Sequence, residues 1–335
     1  MKAFQIQEPG SASVIETGEA QPQGAGEVLL RVRLVGMCGT DLATFRGANA
    51  MVSFPRIPGH EVAATVESGG GDLAPGTEVT LSPYTSCGQC ASCRRGRGNA
   101  CERNQTMGVQ RDGAMQEYVW VPRERLYTAK LSLRELCLVE PLTVGAHAAA
   151  RGRITAEDTV AVFGCGGVGL GAIAAAAFRG ARTIAIDLDD GKLETARKAG
   201  AAHLLNTARE DLHTRLRELT GGQGPDVVME AIGLPLTFRA AVEEVAFAGR
   251  VVYVGYAKEP VSYETRLFVQ KELDILGSRN ALPEDFRAVI RMLEMGTFPV
   301  DEAVSAIVGP EEAAEVLREW SAHPGRFTKI MVQFC

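Results

Sequence analysis

Four of the chain's cysteines fall within one short stretch, CGQCASCRRGRGNAC at 87–101. Cys87, Cys90, Cys93 and Cys101 follow the spacing C-x2-C-x2-C-x7-C. Four thiolates complete a tetrahedral shell around Zn²⁺ and leave no position for a substrate, so the expected role is structural. The chain opens MKAFQIQEPG with no apolar h-region, which predicts no signal peptide and a reducing, cytoplasmic setting. There, clustered cysteines favour metal over disulfides, and cysteines three apart point at one centre more readily than they pair. Arg94, Arg95 and Arg97 lack interleaved aromatics and a following recognition helix, so they are expected to be solvated loop residues.

A second set of donors is dispersed: Cys38 in GMCGTD, His60 and Glu61 in PGHE, and Glu140 in VEPLTVGAH. Taken singly, such residues are usually packing or ordinary polar groups. Taken together, a thiolate, an imidazole and a carboxylate make a zinc site with an open position, the arrangement catalysis needs.

A third signal is GCGGVG, Gly164 to Gly169, between an apolar strand (TVAVF) and a helical stretch. In that setting G-x-G-x-x-G predicts dinucleotide binding: Gly164 permits the turn, Gly166 admits the pyrophosphate and Gly169 lets helix and strand pack closely. With Gly167 and Val168, these residues open a helix whose free N–H groups and dipole favour phosphate. The next strand ends at Asp187, 18 residues beyond Gly169. An acid there holds the adenosine ribose hydroxyls and repels a 2′-phosphate, which predicts NAD rather than NADP. Lys192 is a further candidate for the ribose, its alternative being a solvated helix lysine.

These residues must be carried by two kinds of structure. Residues 1–145 are rich in glycine, proline and short alternating runs such as EVLLRVRLVG, EVAATVES, TEVTLS and QEYVWVP, which predict an irregular antiparallel β domain. Beyond Ala148, six apolar strands alternate with helices, the pattern of a doubly wound parallel sheet. Val254 and Gly255 end one of its strands, Ser278 and Arg279 another, and all four are assigned to the cofactor. A helix near Pro283 to Met295 and a final strand, FTKIMVQF, are expected to return to the first domain. The predicted organisation is a catalytic domain of 1–145 and 283–335 with a dinucleotide-binding domain of 146–282 inserted. Of 335 residues, 46 % are apolar and 23 % charged, with net charge −6; the composition is that of a soluble globular protein and offers no general attraction for nucleic acid or for a membrane.

The combination of CGTD at 38–41, GHE at 59–61, the cysteine lobe, EPL at 140–142, GCGGVG and Asp187 resembles the zinc-dependent medium-chain alcohol and polyol dehydrogenases, over essentially the whole chain. The resemblance implies a discontinuous GroES-like catalytic domain, a Rossmann domain, two zinc ions and NAD as cofactors, and a homodimer or homotetramer. Cys38 and His60 look like direct ligands of the catalytic zinc, with Glu61 and Glu140 supplying the carboxylates; which of these binds directly is left open. Asp41 looks like a partner orienting His60. Thr40 looks like the first hydroxyl of a proton relay, whose outer end departs from the usual pattern because Ala43 stands where many relatives carry histidine.

EPL and GSRNALPEDF at 277–286 resemble the sugar-acid branch, the L-galactonate and L-idonate 5-dehydrogenases. Arg279 is the candidate to grip a substrate carboxylate, with cofactor or a neighbouring acid as its other possible partners. The expected reaction is oxidation of a secondary hydroxyl of a sugar acid or polyol to a ketone. The alternatives are a simple secondary alcohol or threonine-like substrate, or a non-catalytic regulator that binds NAD or, through the cysteine lobe, nucleic acid.

Overall fold

The computed structural model describes all residues except 23, 25, 70 and 335, so Cys335 lies outside the described residues. The chain forms two compact units, Met1–Glu140 with Val300–Cys335, and Pro141–Pro299.

The first unit begins with an antiparallel hairpin, β1 (Lys2–Glu8) and β2 (Ser11–Glu16). It continues through β3 (Glu27–Met37), α1 (Gly39–Phe45), β4 (Glu61–Ser68), β5 (Glu78–Leu81), α2 (Ala91–Arg94), β6 (Tyr118–Pro122), β7 (Leu126–Tyr127) and the start of α3 (Leu133–Arg151). The second unit runs β8 (Thr159–Phe163), α4 (Gly167–Phe178), β9 (Arg182–Asp187), α5 (Asp190–Lys198), β10 (His203–Asn206), α6 (Leu212–Leu219), β11 (Val227–Glu230), α7 (Pro235–Glu244), β12 (Arg250–Tyr253), α8 (Arg266–Gln270), β13 (Asp274–Gly277) and α9 (Pro283–Glu294). The chain then re-enters the first unit with α10 (Val300–Ala303), β14 (Ala306–Val308), α11 (Ala313–Ala322) and β15 (Ile330–Gln333).

In the first unit β3 is the organising strand. Val28, Leu30 and Val32 alternate inward, the period-2 pattern of a half-buried strand, and join a core with Phe4, Val62, Leu81, Met115 and Val332. β3 pairs antiparallel with β4, β6 and β15. Its register sets Gly36 opposite Glu61 and Met37 opposite Ile330. The C-terminal end of β3, leading into Cys38, therefore meets the start of β4 at Glu61 and the start of β15 just after Lys329.

The second unit holds a six-stranded parallel sheet in the order β10-β9-β8-β11-β12-β13. β8 is buried along its whole length, as a strand covered on both faces must be. Pairings of Phe163 with Ile186 and Glu230, and of Glu230 with Tyr253, bring the C-terminal strand ends to one edge, where such sheets bind ligands.

The sequence placed the domain boundaries at 145/146 and 282/283, whereas the compact units divide at 140/141, within α3, and at 299/300. The difference is α9, which stays with the parallel sheet. Asp285 near its start accepts the Leu282 N–H at 2.8 Å and lies 2.7 Å from His147 Nδ1 on α3, both side chains buried. This buried polar contact ties the start of α9 to α3 within the second unit.

Candidate metal centres and dinucleotide loop

The Cys87, Cys90, Cys93 and Cys101 sulfurs all lie within 4.8 Å of one another. All four cysteines are free. Backbone N–H groups of Cys87 and Arg103 donate to Cys101 Sγ, each at 3.3 Å, and Cys90 N–H donates to Cys87 Sγ at 3.4 Å. The Ser92 hydroxyl, 3.1 Å from Cys90 Sγ, and backbone N–H groups of Cys93 and Glu102 hold that thiol down to about 5. Such N–H···S bonds favour thiolates, the form that binds metal, so the lobe fits a closed Zn²⁺ site. Arg94 and Arg95 are exposed on its rim.

The second centre gathers where β3, β4 and β15 meet. Donor atoms of Cys38, His60 and Glu61 lie within 4.8 Å of one another. Cys38 is the N-cap of α1, where Asp41 accepts its backbone N–H at 2.8 Å. Thr40 on the first turn places its hydroxyl 3.8 Å from Cys38 Sγ. His60 is set by loop 57–59, which is clamped by residues 113–115: Gly113 N–H donates to Ile57 C=O at 2.7 Å, Ala114 N–H to Gly59 C=O at 2.9 Å and Met115 N–H to Pro58 C=O at 3.0 Å. Glu140 on α3 enters the same field: its Oε1 accepts from the buried Tyr84 hydroxyl, and its charge acts on His60.

The electrostatics favour a cation. Burial opposes a charge on His60, but its hydrogen bond to Cys38 and the Asp41, Cys38 and Glu140 charges outweigh burial and push its pKa well above the histidine range. Burial likewise raises Asp41 and Glu140, and it pushes the Cys137 thiol up beside them. Thiolate, imidazole and carboxylates are the donors zinc selects, and a set this acidic and buried is relieved by a divalent cation. The residues present fit the ion.

Two positions escaped the sequence. Lys329 is buried, and its ammonium donates to both Glu61 oxygens, at 2.6 and 2.7 Å. The Glu61 charge overcomes the desolvation of Lys329 and raises its pKa. The second is Tyr84. The only sequence signal for Lys329 is a charge at the head of an apolar strand, and Tyr84 carries none. The expected orienting hydrogen bond from Asp41 to His60 is not among the described contacts: His60 Nδ1 and Asp41 Oδ1 are both buried with no hydrogen-bond partner among the described residues, and Asp41 accepts the Cys38 N–H at the α1 N-cap with its other oxygen.

In the second unit the glycine loop runs from the end of β8 into the start of α4. A Cβ on Gly169 would stand 1.8 Å from the Gly164 carbonyl oxygen, so helix and turn can touch only through glycine. A Cβ on Gly166 would meet nothing, leaving open space at the N-cap of α4, which has no side-chain cap. That opening, with the free N–H groups behind it, fits a pyrophosphate. Asp187 is fixed at the end of β9, accepting N–H bonds from Cys165 at 2.8 Å, Leu188 at 2.8 Å and Asp189 at 3.1 Å. Lys192 is half-buried on α5, and its charge reaches Cys165 in the glycine loop. Val254 and Gly255 donate their N–H groups to the Glu230 carbonyl at 2.9 and 3.0 Å. Ser278 is buried with its hydroxyl unpartnered among the described residues, and Arg279 beside it is exposed. Gly167 and Val168 form the first turn of α4.

A sheet unit whose Cys38, His60 and Glu61 donors could hold a metal, in one chain with a parallel-sheet unit whose glycine loop could take a phosphate, is the pattern of a zinc-type dehydrogenase. Residues 24–131 match the alcohol dehydrogenase GroES-like domain family and residues 167–295 the zinc-binding dehydrogenase family. The chain is 34 % identical to an uncharacterised zinc-type alcohol dehydrogenase-like protein of Haemophilus influenzae, over 100 % of this chain and 99 % of the other. It is 34 % identical to the L-galactonate-5-dehydrogenase of Escherichia coli K12, over 83 % of each. Among solved structures, the NADH complex of an alcohol dehydrogenase from E. coli CFT073 superposes with a TM-score of 0.91 at 28 % identity, covering 100 % of this chain and 99 % of that one. The chain belongs to the zinc-type medium-chain alcohol and polyol dehydrogenases and is an oxidoreductase with zinc and a nicotinamide dinucleotide as cofactors. Among the described residues, no helix is long and apolar enough to cross a membrane.

Proposed function

We propose that this enzyme oxidises a secondary hydroxyl of a sugar acid or polyol to a ketone with NAD as acceptor. The observation that carries the reaction is the convergence of Cys38, His60 and Glu61 within 4.8 Å, in a chain that also holds the glycine loop. Cys38 and His60 would hold the catalytic zinc with carboxylate from Glu61 or Glu140. When bound, zinc supplies a Lewis acid that lowers the pKa of a coordinated hydroxyl, and NAD supplies the hydride acceptor. Thr40, whose Oγ1 lies 3.8 Å from Cys38 Sγ, would take the hydroxyl proton and pass it to water, since Ala43 offers no imidazole further out. Lys329 offsets the Glu61 charge. The N–H groups at the start of α4 bind pyrophosphate, and Asp187 binds the ribose and disfavours a 2′-phosphate. The closed lobe holds a structural zinc, and self-association as a homo-oligomer accompanies this function.

The sugar-acid substrate is supported by the galactonate relative and by Arg279, exposed in the loop after β13, whose guanidinium matches a carboxylate bidentately. The test is NAD reduction across aldonates, polyols, L-threonine and simple secondary alcohols. Aldonates should be turned over best, and Arg279→Met should raise their KM about tenfold or more while leaving polyols unchanged, as loss of a charge-assisted pair predicts. Faster turnover of simple alcohols would overturn the substrate assignment and leave the reaction class standing.

A further inference from the structure

We infer that Glu230, at the C-terminal end of β11, is the positioning residue that shapes the dinucleotide-binding edge of the parallel sheet. The inference rests on the dinucleotide reading of that edge.

Glu230 is fully buried, yet it spends its carboxylate on one turn. Its Oε1 accepts three hydrogen bonds: from Ile232 N–H at 2.9 Å, Gly233 N–H at 2.8 Å and the Thr237 hydroxyl at 2.8 Å. These donors fold the chain sharply from β11 into α7, with Gly233 at φ 87°. The backbone carbonyl of the same residue accepts Val254 and Gly255 N–H groups from the turn after β12. One residue thus fixes both turns that follow neighbouring strands.

The clamp extends to the glycine loop. A Cβ on Gly164 would stand 2.7 Å from Ile232 Cγ1 and 3.5 Å from the Ala231 carbonyl carbon, so the turn held by Glu230 lies directly against the first glycine of GCGGVG. Ala231 N–H also donates to Phe163 C=O at 3.0 Å, immediately before that glycine. Ile232 remains 42 % exposed, so this turn presents a surface beside the phosphate loop rather than being sealed in the core.

The other carboxylate oxygen, Oε2, is buried with no partner among the described residues. It lies 2.5 Å from where a Gly255 Cβ would stand, with Gly233 N at the same distance from that point. A side chain at 255 would therefore collide with the clamp itself. An ordinary packing residue would be apolar here; a carboxylate with three donors on one oxygen and none on the other is there for the turn it shapes.

The test is calorimetric titration of NADH, without substrate, into zinc-loaded wild type, Glu230→Ala, Glu230→Gln and Gly255→Ala, with zinc content and thermal midpoint measured on each. Glu230→Ala should raise the NADH Kd about tenfold or more, because three hydrogen bonds are lost. Glu230→Gln keeps an acceptor oxygen for the same donors and should stay within about threefold of wild type. Gly255→Ala should weaken NADH as Glu230→Ala does. In steady state the KM for NAD should rise while kcat and the KM for the alcohol change little. Wild-type NADH affinity in a folded Glu230→Ala protein overturns the inference. Should that variant not fold, wild-type affinity in Gly255→Ala overturns it equally. A wild-type enzyme that binds no NADH at all would instead overturn the dinucleotide reading.

Discussion

The cysteine lobe takes all four donors from residues 87–101, whereas the centre at Cys38, His60 and Glu61 takes its donors from the ends of separate strands and helices. The lobe satisfies its sulfurs with N–H groups from its own turns. The dispersed centre leaves His60 Nδ1 and Asp41 Oδ1 without hydrogen-bond partners among the described residues, and Lys329, just before β15, offsets Glu61. A site whose only work is to hold metal can be local and saturated. A site that must also admit a substrate keeps an open position and relies on the whole sheet to hold it.

That contrast can be broken experimentally. Cys38→Ser should abolish turnover, by about 10²-fold at least, since direct ligands should matter more than the groups behind them. Zinc content should fall to one ion per chain while the NADH Kd and thermal midpoint stay near wild type. Activity retained with both metals bound would show that the open centre is not where the reaction occurs. Cys90→Ser should do the reverse: metal analysis should again show one zinc lost, thermal unfolding should show a stability loss of several kcal/mol on the order of that structural zinc supplies, and kcat per folded molecule should survive.

Lys329→Met sharpens the comparison, because it leaves the Glu61 charge buried without its cation. Urea unfolding of the metal-free protein should show a loss of about 3–5 kcal/mol. The loss should shrink in zinc-loaded protein, where a second cation is present; equal losses in both forms would mean that Lys329 and the metal do not share one electrostatic field. Asp187→Ala acts farther away and should be mildest. Binding titrations should show weaker NAD and a NAD/NADP preference reduced about tenfold, with zinc content unchanged. An unaltered cofactor ratio would remove the role given to that acid.

Local features were legible in the sequence. All six strands of the parallel sheet, the glycine loop and the cysteine spacing are written in contiguous residues with a fixed period or offset. Four β segments of the first unit and the return strand were also readable, because alternation and turn residues mark them. What could not be read depends on pairing across long separations. Lys329 matters only because the β3–β15 register places it beside Met37 and Glu61. Tyr84 matters only because α3 brings Glu140 to it, 56 residues on. The place of α9 was missed because amphipathic periodicity shows that a helix buries a face but not against which unit, and the buried contact of His147 with Asp285 spans 138 residues. Glu230 carries no motif of its own; its role appears only when its side chain is seen curling back onto residues two, three and seven places ahead.

The counter-charge for Glu61 is synthesised 268 residues after it. A ribosome-bound chain that has exposed Cys38, His60, Glu61 and Glu140 has the proposed catalytic metal donors but neither the ammonium nor the strand that follows it. The four sulfurs of the lobe and the N–H groups that donate to them come from residues 87–103. The ammonium that faces Glu61 therefore reaches it only after residue 329 has been made and β15 has paired with β3.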